Sequence, residues 1–304
     1  MRRVILSILA LALSLCSAKA QLLYKISGNG LSKPSYIIGT FHVAPASIVD
    51  DIPGAHEALN AVEQVCGEID LIEETSPEYD MRVYELRVLP FSLRIDDVLS
   101  ESEMERLNGY MLRMLGYDFT DEQVYASMCM LRPSELSALF TNMLYAEMVP
   151  NYDANSSMDS YFQHEALRMG KGCTALESVD FQVELLYAPV PFDKERDELF
   201  AFVDYPELCE FGIRMITEAY YSQNLKQLSR ALRIFGTEQD DFDEVLIVER
   251  NNNWIELMPK MMAEKSTLFV VGSAHLPEKH GMIKLLRRAG YRVTPIRNKK
   301  QVSW

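Results

Sequence analysis

The chain has 304 residues, 48% hydrophobic and 24% charged, with a formal charge of −14 and a pI of about 4.9. This is ordinary globular composition, enough for a sizeable core in one or two domains. The acidity works against nucleic acid and anionic lipid as partners, and no Lys/Arg cluster with interleaved aromatics offsets it.

The first twenty residues read as a separate object. Arg2 and Arg3 precede the apolar run Val4–Leu15, and Ala18-Lys19-Ala20 follows. A positive flank, a short apolar stretch and an A-x-A exit mark a secretory signal peptide. The run is 12 residues long, too short to cross a bilayer as a helix. Cleavage after Ala20 leaves 27 basic against 44 acidic residues, a charge of −17, in a secreted or periplasmic protein. A lipid anchor would use Cys16, although Leu15 is a poor residue before a lipidated cysteine. Signal peptide and anchor are the membrane contacts expected. Export implies a disulfide-permissive compartment. Cys66, Cys129, Cys173 and Cys209 contain no C-x-x-C pair, which argues against a zinc knuckle or redox motif. The four allow three pairings, or stay as buried free thiols.

Leu22–Ser27 alternates in polarity, a Gly-Asn-Gly turn follows, and Ser35–Thr40 completes a predicted β-hairpin. Pro53–Gln64 is predicted as helix, with Asp50 or Asp51 as N-cap. Val65–Thr75 is predicted as a buried strand, with Glu73 and Glu74 on its exit loop. Helical spacing then covers Ser100–Leu115, Asp121–Leu131, Pro133–Glu147 and Ser157–Met169. A short strand ends near Glu177, and Val179–Lys265 returns to helix, turning near Ala188–Pro191, Tyr205–Pro206 and Phe235–Gly236. Thr267–Gly272, Glu278–Arg288 and Tyr291–Ile296 read as strand, helix, strand. The fold class implied is α/β: one domain over 21–304, its sheet assembled from N- and C-terminal strands, with a helical lobe inserted at about 100–265.

Two distant apolar runs end alike. Tyr36–His42 reads YIIGTFH and Phe269–His275 reads FVVGSAH, so two of the chain's five histidines stand three places after a glycine. In open α/β sheets, ligands bind outside the carboxyl ends of strands, and glycine permits a sharp exit and close backbone approach. His42 and His275 are therefore expected to share a site. Glu68 is the third candidate, because a carboxylate inside an apolar run is unfavourable unless paired or metal-bound. Two imidazoles and a carboxylate suit a catalytic divalent ion with open positions for water. Arg250 and Asn251, beside Asn253, form a polar knot that could stabilise an oxyanion or make a structural salt bridge to Glu68 or Glu177. Glu177 and Gln182 are expected to support that network. His56 and His280 read as surface residues, and His164 has an acidic neighbour without zincin spacing. The sequence holds no H-E-x-x-H, G-x-S-x-G or Walker loop.

These residues carry a resemblance. YIIGTFH, the EID at Glu68–Asp70, and the block from Val270 to Ile296 resemble the TraB/GumN group, which includes the secreted TIKI metalloproteases. LRPSEL, the Met158–Gln182 block and ERNNNW are similar to the family's intermediate blocks, so the resemblance covers roughly Leu22–Ile296. It implies an erythromycin esterase-like fold, shared with a haem-binding group. It also implies a divalent-metal peptidase site on His42, Glu68 and His275, with Arg250 and Asn251 matching an Arg-Asn block. In the family a Gly commonly follows the second motif's His-Leu-Pro, where this chain has Glu278 and reaches its Gly at Gly281. The expectation is an exported hydrolase using Mn²⁺, Co²⁺ or Zn²⁺, above all a peptidase, acting on a peptide, a protein or a small ester, with Glu68 as a ligand or as the general base for the bound water. The alternatives are a metal-free esterase, with His42 as base oriented by Glu68, and a non-catalytic haem- or metal-binding protein of the cell envelope.

Overall fold

Gly28, Asn29 and Gly30 all take left-handed backbone, with φ of 81°, 48° and 80°, a run that Gly and Asn tolerate and most residues resist. They close the expected hairpin between β1 (Leu23–Ser27) and β2 (Ser35–Thr40). A computed structural model of the chain describes residues 21–71, 77–153, 156–186, 190–235 and 244–297. The expected signal peptide with Cys16, the exit-loop residues Glu73 and Glu74, and the turns at Ala188 and Gly236 lie outside the described residues.

The expected helix over Pro53–Gln64 is shorter, and the expected caps are not used. Asp50 and Asp51 belong to a 3₁₀ turn (Ala46–Asp51), and α1 (Ala55–Ala61) starts after Gly54, whose φ is 82°. Lys171 ends α1 by donating to the carbonyls of Leu59, Asn60 and Val62 at 2.6, 2.8 and 2.6 Å, satisfying acceptors that a helix end leaves open. β3 (Gln64–Gly67) is also shorter than expected. At Gly67 a Cβ would lie 2.3 Å from Gln163 Nε2, and Glu68 is the first residue past the strand rather than one within it.

The helices follow their caps. After α2 (Pro77–Arg87), which the sequence pattern did not indicate, and a single turn at Ile95–Val98 come α3 (Glu101–Leu115), α4 (Glu122–Met128), α5 (Pro133–Met148) and α6 (Met158–Arg168). Ser100, Asp121 and Ser157 accept backbone N–H groups at the starts of α3, α4 and α6, and Pro133 opens α5. Then come β4 (Gly172–Ala175), α7 (Val179–Leu186), α8 (Phe192–Asp204), α9 (Pro206–Tyr221), α10 (Leu225–Phe235), α11 (Arg250–Glu264), β5 (Thr267–Gly272), α12 (Met282–Arg288) and β6 (Arg292–Pro295). α12 starts four residues later than the predicted Glu278: Glu278 is left-handed, φ 66°, with its side chain on Ser229 of α10.

The six strands form one sheet in the order β4-β3-β5-β2-β1-β6. β4, β3, β5 and β2 run parallel, and β1 pairs antiparallel with β2 and β6. The α/β class stands, but the sheet is not made of terminal strands alone, because β4 from mid-chain forms one edge. α6, α9, α10 and α11 bury apolar residues against the sheet, including Phe162, Tyr220 and Trp254. Residues of α3, α5 and α8 gather a second cluster around Leu107, Tyr110, Phe140 and Leu199. Among the described residues no helix is long and apolar enough to cross a membrane. All four cysteines at 66, 129, 173 and 209 are free thiols. Cys173 registers with Val65, so it points to the sheet face opposite Cys66.

Candidate functional site

Four parallel strands end at one edge of the sheet, and each is followed at once by a side chain that the sequence singles out. His42 stands two residues past β2, Glu68 one past β3, Glu177 two past β4 and His275 three past β5. Gly272, the last residue of central β5, is the meeting point of His42, Glu68 and His275. A Cβ there would lie 3.3 Å from Glu68 Oε1, 3.5 Å from His42 Nε2 and 3.6 Å from His275 Cδ2. Its N–H donates to Glu68 Oε1 at 2.6 Å. Gly39 makes room in a second way, since a Cβ there would strike Leu276 Cδ1 at 2.7 Å and Ser273 Cα at 3.0 Å. Neither motif glycine has a left-handed φ; both are needed for closeness of approach.

Each imidazole is anchored through Nδ1. His42 Nδ1 lies 3.0 Å from Asp159 Oδ2, and Thr40 Oγ1 donates to Asp159 Oδ1 at 2.7 Å. Asp159 occupies the first turn of α6, where the helix dipole favours a negative charge. His275 Nδ1 lies 2.8 Å from Asn251 Oδ1. Asn251 Nδ2 donates to the carbonyls of His275 and His280 at 3.2 and 3.0 Å, so Oδ1 is its acceptor end. His275 Nδ1 therefore carries the proton and Nε2 keeps a lone pair, to which Arg250 Nη1 donates at 3.1 Å. Trp254 packs on the His275 ring with centroids 4.3 Å apart.

A family model for TraB/PrgY/gumN matches residues 22–295. The chain belongs to the TraB/PrgY/gumN family. No curated protein and no solved structure is similar enough to match. In this TraB/PrgY/gumN chain, Glu278 keeps the left-handed backbone that a Gly takes freely, so the departure in the second motif leaves the loop's path compatible with Gly.

Arg250 is the hub of this family member's charges. Its Nε donates to Glu177, Nη1 to Leu246 O and His275 Nε2, and Nη2 to Glu68 Oε2 and Glu177 Oε1. All five N–H groups are engaged. Gln182 Nε2 reaches Glu68 Oε2 at 3.2 Å and Glu177 Oε1 at 3.1 Å, and Trp254 Nε1 donates to Glu177 Oε2 at 3.1 Å. Burial works against the charge on Glu68, but the facing imidazoles, the Arg250 guanidinium and the Gly272 N–H hold its carboxyl down at about 2. The Asp159 carboxylate raises His42 to about 9. Burial lowers His275 to about 3, against the pull of Glu68.

The structure thus brings His42, Glu68, His275, Arg250 and Asn251 together, with Glu177 and Gln182 behind them. The oxyanion role expected of Arg250 and Asn251 is not open to them as they stand, because their N–H donors are all taken by protein acceptors. Both position other groups, and of the two readings of Arg250 the salt bridge to Glu68 and Glu177 is the one seen. His56 pairs with Asp50 at the surface, His164 is exposed, and His280 contributes only its carbonyl. Sequence reasoning missed Asp159, whose place just after a Ser N-cap looks like an ordinary first-turn acid. It also missed Trp254 and Gln163, which read as core and helix surface. The available signal was Asp159's place within the Met158–Gln182 block.

A divalent ion, which the resemblance implies, fits the donors in kind. Both Nδ1 atoms are held by outer oxygens, as is usual for metal-ligating histidines. His275 Nε2 lies 3.8 Å from Glu68 Oε1, and His42 Nε2 and Glu68 Oε1 both lie beside Gly272, 3.5 and 3.3 Å from where a Cβ would stand. Among the described residues the donors are not drawn into a finished metal site. Arg250 Nη1 holds the His275 lone pair, so a cation there has to turn that N–H aside.

Proposed function

We propose that this chain hydrolyses amide or ester bonds, above all as a peptidase, with a divalent ion (Mn²⁺, Co²⁺ or Zn²⁺) held by His42 Nε2, Glu68 Oε1 and His275 Nε2. The observation that carries this reading is the convergence of those three side chains on Gly272. Such an ion lowers the pKa of bound water and offsets negative charge on a carbonyl oxygen. The chain does the rest. Asp159 and Asn251 hold the two rings through Nδ1. Arg250 neutralises Glu68 and Glu177, and Glu68, ionised well below neutral pH, suits a ligand better than a proton acceptor. The His42 side chain is 69% exposed, which leaves an open face for substrate entry and proton exit. The water oxygen bonds to the carbonyl carbon, the C–N or C–O bond breaks, and the products are a carboxylate and an amine or alcohol.

Two observations favour a metal-free esterase as the second reading. Arg250 already sits on His275 Nε2, and Asp159 orients the His42 ring through Nδ1 as the partner of a general base would, the ring being free to take a proton only toward a pH of about 9. In that reading Asp159, not Glu68 as expected from sequence, orients His42. Metal content of protein purified without chelator, followed by hydrolysis of peptides and esters with and without EDTA, separates them. Bound metal and chelator-sensitive cleavage lost in His42→Ala support the first. Chelator-insensitive cleavage lost in His42→Ala supports the second. Cleavage surviving His42→Ala with His275→Ala sinks both. Absence of cleavage together with a haem band in the visible spectrum favours a non-catalytic envelope protein.

A further inference from the structure

A cavity of about 90 Å³ opens beside His42 and Glu68 and runs past Ile69, Leu71 and Val270. We infer that it receives a small branched aliphatic side chain next to the bond that is cut, making the substrates peptides with a residue of Val size at that position. The inference rests on the hydrolase reading above.

Two features of the lining decide it. The first is that, His42 apart, its polar side chains spend most of their hydrogen-bonding groups within the protein. Gln163 Nε2 donates to Ile69 O at 3.0 Å and its Oε1 accepts from Leu71 N at 3.0 Å. Both ends of the amide are used, much as a neighbouring strand would use them, and they pin Ile69–Leu71 as a wall. Gln182 spends its amide N–H groups on Glu68 and Glu177, and Asp159 is taken by Thr40 and His42. Beyond His42 Nε2, a polar side chain entering here meets mainly the apolar Ile69, Leu71 and Val270, and loses water for little gain. An acidic one also meets the like charges of Glu68 and Asp159. The second feature is size. A closed cavity that takes a benzene ring measures about 150 Å³; about 90 Å³, partly open to solvent, suits a few aliphatic carbons better than an aromatic ring.

Cleavage of a peptide library by the full chain, loaded with Mn²⁺, Co²⁺ or Zn²⁺, reads the residue beside the cut. The expected result is at least a tenfold preference for Val, Ala or Thr over Phe and Asp. Leu71→Ala, at a wall residue that is 42% exposed, should shift the preference about tenfold toward Leu or Met, the scale of one methylene in a pocket. Preferred cleavage beside aromatic or acidic residues overturns the inference, as does an unchanged profile in Leu71→Ala. If no peptide is cleaved, the hydrolase reading fails separately. The pocket is then judged by amide NMR shifts at Ile69 and Leu71. Shifts with N-acetyl-valinamide and not N-acetyl-phenylalaninamide uphold it; shifts with both or neither overturn it.

Discussion

His42 and His275 close two copies of one heptapeptide pattern, yet the fold gives them opposite chemistry. The His42 side chain is 69% exposed, faces the Asp159 carboxylate and is raised to about 9. The His275 side chain is 4% exposed, packs on Trp254, faces the Asn251 amide and Arg250, and is lowered to about 3. A carboxylate on Nδ1 stabilises an imidazolium, whereas burial beside a guanidinium disfavours one. The motif decides where each ring stands, and the residue on its far nitrogen decides its charge.

The difference can be broken hardest at Arg250. Arg250→Met leaves Glu68 and Glu177 buried without their counter-ion, and should cost about 3–5 kcal/mol by denaturant titration. A loss under about 1 kcal/mol would mean the hub is not structural. Next, His275→Ala opens a hole against Trp254 and should cost about 2–5 kcal/mol, the range for emptying a packed site. His42→Ala, at an exposed ring, should cost about 1 kcal/mol or less. With the metal site proposed above, both should lower the metal retained after desalting, as measured by mass spectrometry; equal destabilisation by the two would erase the contrast. Gly39→Ala, whose Cβ meets backbone at 3.0 Å, should cost about 1–3 kcal/mol. Gly272→Ala, with its tightest contact at 3.3 Å, should cost less while displacing Glu68 from the two rings. The reverse ranking would contradict the packing.

The mildest test is pH, on protein stripped with chelator. His275 is lowered when folded, so between about 3 and its ordinary value of 6.5 the unfolded chain binds the extra proton, and stability falls as the solution is acidified. His42 is raised when folded, so its contribution is complete below 6.5 and is lost as pH rises through about 9. Denaturation midpoints should therefore fall on both sides of about pH 6.5. His42→Ala should flatten only the alkaline limb. Imidazole NMR should show His42 titrating near 9 and His275 unresponsive above pH 5.

The hairpin, the capped helices and the convergence of residues 42, 68 and 275 were legible because each rests on local chemistry: a Gly-Asn-Gly turn, Ser and Asp caps, glycines at strand ends. What stayed hidden is what depends on distant partners. Asp159 lies 117 positions from His42, and its local pattern is that of any first-turn acid. The saturation of Arg250 and Asn251 cannot be seen until their acceptors are in place. β4 is four residues long with a Gly at its start, too short to announce that it joins the sheet. α2 lacks an amphipathic period, its Met81 and Tyr84 facing solvent, so apolar spacing could not locate it.

β5 lies between β2 and β3, yet it begins 200 positions after β3 ends. Until that late segment docks, the two earlier strands keep bare hydrogen-bonding edges facing each other across a gap. Such edges invite pairing with other chains, and closing so long a loop is a slow, entropically opposed event. A polypeptide cut short before Thr267 should therefore clump instead of retaining a fraction of the fold, and maturation of the cleft should wait until β5 has been made.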